Sequence, residues 1–143
     1  MTIRSISALF FCASLAFNTG CENSRNEKKV YPIRGTFLFD GKPAEGLQIQ
    51  FHDLKGTDTN QPTFPQATTD ASGAIKVSTY TEGDGAPAGD YALTISWKEF
   101  STLSRSYSGP DKLKQKYSDP KKTSVKLTVG GGTPNDLGSV ELK

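Results

Sequence analysis

The chain has 143 residues, with 17 Lys and Arg against 15 Asp and Glu and a formal net charge of +2. A balance this close to neutral supplies no broad positive field for nucleic acid. One His and two Cys are too few for a hydrolytic zinc site, and the length suits one ordinary domain.

Residues 1–20 read as a targeting segment. Arg4 and the free amine form a positive start, and residues 6–17 (ISALFFCASLAF) form an apolar run shorter than the roughly twenty residues of a membrane span. Asn18, Thr19 and Gly20 then lead into Cys21. This pattern resembles the bacterial lipoprotein signal, in which a small residue precedes a cysteine that becomes a diacylglycerol-bearing N-terminus. Gly20 and Cys21 match it, while Asn18 departs from the Leu preferred three residues before the cysteine. The resemblance implies that Cys21 is the lipidation site, since forming the thioether needs a thiolate nucleophile. It also implies a cell-envelope location, with the domain facing the periplasm or the exterior and held to a membrane by two or more acyl chains. The alternative is an ordinary secreted protein whose Cys21 falls near its cleavage site by chance. Cys12 lies inside the removed segment, so no disulfide framework is expected.

Residues 21–29 are polar and aperiodic, as a flexible tether would be, and the domain is expected over 30–143. Ile33, Gly35, Phe37 and Phe39 alternate with Arg34, Thr36 and Leu38, the period of a strand. Asp40-Gly41 signals a tight turn. Leu47, Ile49 and Phe51 then alternate with Gln48, Gln50 and His52, which puts His52 on the outward face. Residues 54–65 carry Gly56, Asp58, Asn60, Pro62 and Pro65 and read as a loop in which only Phe64 offers a packing contact. A loop of that length on a rigid scaffold is a natural place for binding. A short strand over 67–69, a turn over 70–73 and a strand carrying Ile75, Val77 and Thr79 come next. A glycine-rich loop over 82–89 leads into the most strongly patterned strand, with Tyr91, Leu93, Ile95 and Trp97 on one face. Residues 98–122 are the least regular stretch; 111–117 could form a turn or two of helix after Pro110. Val125, Leu127 and Val129 mark another strand, and Val140 with Leu142 the last. The fold class expected is all-β, a single antiparallel β-sandwich of about seven strands, immunoglobulin-like or transthyretin-like.

Five segments carry a further resemblance: 35–43 (GTFLFDGKP), the apolar strand 47–52, 69–73 (TDASG), 83–91 (GDGAPAGDY) and 116–124 (KYSDPKKTS). Together they resemble the small predicted lipoproteins of planctomycete bacteria described as carboxypeptidase-regulatory-like or transthyretin-like. The resemblance implies a β-sandwich and an envelope location, and brings no catalytic or binding residues with it.

The chemical inventory points away from catalysis. His52 has no G-x-S-x-G nucleophile elbow to serve. Glu82, Asp84 and Asp90 lack the D-x-D-x-D-G spacing of a calcium loop. A Lys-Asn isopeptide bond would need a first-strand lysine, where only Arg34 stands, with Lys42 in the following turn and Asn135 as the late amide. No catalytic residue, cofactor or metal is therefore expected. The expectation is a non-catalytic binding or scaffold module for an envelope protein or glycan. The alternative is a carbohydrate-processing enzyme using loop carboxylates with Tyr107 or Tyr117.

Overall fold

The computed structural model describes residues 26–132 and 134–143. Cys21, the whole of the expected targeting segment and most of the expected tether lie outside the described residues. Twelve strands are formed among those described: β1 (Val30–Tyr31), β2 (Ile33–Phe39), β3 (Lys42–Pro43), β4 (Gln48–Asp53), β5 (Gln66–Thr69), β6 (Ile75–Ser78), β7 (Ala86–Pro87), β8 (Gly89–Ser96), β9 (Glu99–Ser101), β10 (Ser106–Ser108), β11 (Lys126–Val129) and β12 (Asn135–Leu142). Strands β2, β4, β5, β6, β8, β11 and β12 coincide with the seven alternating stretches. The other five have two or three residues each, too short to show a period.

The architecture is all-β and sandwich-like. A five-stranded sheet has the order β11-β8-β4-β5-β6, and a three-stranded sheet has the order β12-β2-β3. Alternation supplies the facing surfaces: Phe37 and Leu142 from the smaller sheet meet Ile49, Val77, Leu93 and Ile95 from the larger, with Leu47 just before β4, all almost wholly buried. Burying a side chain of this size contributes about 1.5–3 kcal/mol. The backbones of the two sheets are also linked, where Thr36 bridges Ala74 and the Phe37 amide donates to the Gly73 carbonyl at 2.8 Å.

Three expectations are corrected. The sheets are not antiparallel throughout, because β12 runs parallel to β2, from Asn135 beside Ile33 to Leu142 beside Phe39. The chain leaves β11 at its Val129 end and crosses to the other sheet, so β12 starts beside the start of β2. The register shifts between Asp136 and Ser139, where Gly138 takes a φ of 64° and its amide donates to the Asp136 carboxylate at 2.7 Å. Residues 111–117 form successive turns, not helix. Lys114 and Gln115 adopt φ of 51° and 60°, outside the helical range, while Leu113 plugs the core. Phe64 does not pack inward: it is 72% exposed, and the neighbouring Pro65 is buried instead.

The irregular region also contains an unexpected hairpin. β9 and β10 pair through Phe100 and Tyr107, whose rings meet edge to face at 5.3 Å. Trp97 fixes its base. The indole N–H donates to the Glu45 carbonyl at 2.9 Å, the Trp97 amide donates to the Asp111 carboxylate at 2.7 Å, and the ring packs edge-on against Phe39 at 5.4 Å.

Candidate functional site

The outward residues of β4, β5, β6 and β8 make a polar face, as period-two geometry requires. Cross-strand register arranges them in two lines. Ser96, Gln48, Thr68 and Lys76 form one; Thr94, Gln50, Gln66 and Ser78 form the other. A groove of about 940 Å³ lies over this face, with Gln48, Gln50, Gln66, Thr68 and Ser78 among its lining and Tyr107 of the β9–β10 hairpin contributing aromatic surface.

These side chains are not equally available. The Gln48 amide is occupied, donating to the Gly46 carbonyl and accepting from the Lys98 amide at 3.2 Å. Gln50 and Gln66 are direct cross-strand partners, with Cβ atoms about 4.5–5.5 Å apart. Both are exposed, and neither amide has a hydrogen-bond partner among the described residues. At one end of the groove Lys76 pairs with Glu82 at 2.9 Å. The Asp70 carboxylate is closed into its own turn, accepting from the Ser72 hydroxyl at 2.6 Å and from the Ser72 and Ala74 amides. The Ser72 hydroxyl, with those amides, holds the Asp70 carboxyl below its ordinary pKa.

The residues singled out by sequence are scattered. Cys21 lies outside the described residues. His52 faces outward as its parity demands, with Nε2 2.8 Å from the Thr94 hydroxyl. Glu82, Asp84 and Asp90 do not converge. Glu82 holds Lys76, Asp90 accepts from the Thr128 hydroxyl at 2.7 Å, and Asp84 accepts from the Thr79, Tyr80 and Thr81 amides at 2.7–2.9 Å. Burial pushes the Asp84 carboxyl up, and the backbone amides together outweigh it, leaving the pKa below the ordinary value. Among the described residues no group of three or more His, Cys, Asp or Glu could hold a metal. Asn135 is buried, its amide bonded to Gly130 and Pro32, and its register partner is Ile33, not a lysine. The Tyr117 hydroxyl accepts from the Lys143 amide at 3.2 Å.

The 54–65 loop connects β4 to β5. It follows Asp53, and the Leu54 amide bonds the Asp90 carbonyl near the start of β8. That is the end at which the tether enters. Lys28 forms an ion pair with Asp58 at 2.7 Å, and the Gln61 amide donates to the Asn26 carbonyl at 3.1 Å. The hairpin follows the other end of β8, about 26 Å away for eight extended residues. The loop is thus tied to residues 26–28, and its other end returns to the groove, where the Pro65 carbonyl accepts from the Phe51 amide and Gln66 follows.

Glutamine alternation on β4 was visible in the sequence, but it is indistinguishable there from an ordinary solvated face. Tyr107 joins the site through a hairpin that left no period-two signal.

No family model matches the chain, and no curated protein does. A 9R-lipoxygenase from Cyanothece is similar at 15% identity with a TM-score of 0.40; the likeness covers 80% of this chain and 16% of the lipoxygenase chain.

Proposed function

We propose that this chain is a non-catalytic binding module of the bacterial envelope, exported by residues 1–20 and held to a membrane by lipid on Cys21. We read the sandwich-like fold as a single transthyretin-like or immunoglobulin-like domain built on seven principal strands, with the short ones as additions. The observation that carries the reading is the groove floor, where Gln50 and Gln66 stand side by side with amides that have no partner among the described residues, in a groove that Tyr107 also lines. Exposed amides on one solvated face are common. Two adjacent ones in a groove that an aromatic ring also lines suit recognition of a ligand. Weighing against a carboxylate enzyme, Glu82, Asp84 and Asp90 are each engaged in separate local contacts.

A photoreactive amino acid placed at position 66, compared with one at Arg34 on the outer face of the smaller sheet, tests the binding surface in cells. Adducts are expected from position 66 and not from 34; equal capture from both, or none from 66, overturns the assignment. Metabolic labelling with an alkyne fatty acid tests the anchor. Label is expected on the parent chain and should vanish in Cys21→Ser; persistence in that variant refutes lipidation at Cys21.

A further inference from the structure

We infer that the groove takes an uncharged oligosaccharide, an inference that rests on the binding-module reading and narrows it to one ligand class. The lining includes side-chain amides and hydroxyls from Gln50, Gln66, Thr68 and Ser78, which adjoin one another in the sheet register. A planar amide offers an acceptor and a donor next to one another, which suits neighbouring hydroxyls of a sugar ring, each able to give and to accept a hydrogen bond. Two such amides in direct cross-strand register can engage two hydroxyl pairs along a chain.

Tyr107 supplies the second requirement. It is 39% exposed and lines the groove, with its ring braced by Phe100 across the hairpin. A pyranose ring has an apolar face of C–H groups, and an aromatic surface with a polar tip covers such a face while keeping its hydroxyl in water.

Charge decides between ligands of similar shape. The groove contains Asp70, Lys76 and Glu82, and the only cation among them is already paired with Glu82. An anionic glycan or a phosphorylated ligand would meet a net negative rim and no free cation. A peptide fits less well for a different reason. The backbone groups of β4 and β5 are used within the sheet, and the outer side of the edge strand β6 is met by Thr36 at Ala74 and by the Gly85 amide at Val77, which leaves little backbone free for strand addition. The groove volume lies at the upper end of the range for ligand sites, room for a chain of several sugar units.

The test is direct binding to the full lipidated chain in detergent, measured calorimetrically. The probes are the neutral hexaoses of β-1,4-glucan, α-1,4-glucan and β-1,4-mannan, with hexagalacturonate as the anionic counterpart. At least one neutral hexaose is expected to bind, with hexagalacturonate at least tenfold weaker. The double change Gln50→Ala with Gln66→Ala, and separately Tyr107→Ala, should each weaken binding tenfold or more without altering the thermal unfolding midpoint appreciably. Tyr107→Phe should retain most of the affinity. The inference is overturned if no neutral hexaose binds, if the anionic probe binds equally well, or if the variants leave affinity unchanged. Should position 66 still crosslink a protein in cells while every hexaose fails, the binding module stands and the glycan does not. Failure of the position-66 crosslink as well removes both.

Discussion

Replacing Gly85 by alanine, beside the same change at Gly56, separates the cost of an unusual backbone conformation from the cost of a collision. The two glycines have φ of 98° and 91°, so each alanine bears a similar left-handed penalty of about 1–2 kcal/mol. Part of that is offset by the narrower unfolded ensemble of alanine, worth about 0.4–1 kcal/mol. Around Gly56 a new Cβ meets nothing within 4 Å; at Gly85 it would sit 1.9 Å from the Tyr31 carbonyl oxygen and 2.8 Å from the Pro32 nitrogen. No rotamer change relieves a clash with backbone. Strand β1 would have to leave β7, losing the pairing of Val30 with Pro87 and Tyr31 with Ala86, at about 1 kcal/mol per hydrogen bond. Gly56→Ala should therefore cost about 1 kcal/mol, and Gly85→Ala about 3–5 kcal/mol, in urea unfolding of the full chain. Losses within about 0.5 kcal/mol of one another would refute the close approach of the two backbones.

Two further expectations concern titration. Asp84 has a lowered folded pKa, so its contribution is present above the ordinary carboxylate range and is lost as pH falls through the depressed value; Asp84→Ala should destabilise by about 1–3 kcal/mol near neutrality and flatten the acid limb of a stability profile, and an unchanged acid limb would contradict the capping role. Tyr91 is buried and its hydroxyl donates to the Pro87 carbonyl at 3.0 Å. Desolvation, with the Asp53 charge adding to it, pushes its phenol up to about 12, so its stabilising effect should be complete below pH 10 and fall away as pH rises to about 12; ultraviolet titration showing this phenol ionising near 10 in the folded chain would refute that burial.

What was legible in the sequence follows from what alternation can encode. Tyr91, Leu93 and Ile95 announced a strand and its inward face, and so did Ile49 with Phe51. Alternation says nothing about which strand lies alongside or in which direction, so the parallel β2–β12 pair was not readable. Nor could it mark β9 and β10, whose residues are nearly all exposed and thus have no inward set. Phe64 misled for the converse reason: hydrophobicity alone assigned it a contact, while loop geometry turned Pro65 inward instead. The 54–65 loop was correctly seen as irregular, but its ties to Lys28 and Asn26 depend on long-range placement. The candidate site shared that fate: Gln50 and Gln66 become neighbours only through register, and Tyr107 joins the groove lining only through the returning hairpin.

The pairing of β2 with β12 also sets the order in which the chain can become a folded object. Asn135 reaches back to Pro32 across 103 positions, and the Gly41 amide meets Glu141 across 100. Until β12 has been made, Phe37 lacks one flank of its sheet and Leu142 is missing from the core. Contacts this distant in sequence slow folding, because the intervening loop must close before they form. A chain lacking its final strand would therefore stay unfolded, and the smaller sheet can close only once the eight residues of β12 are in hand.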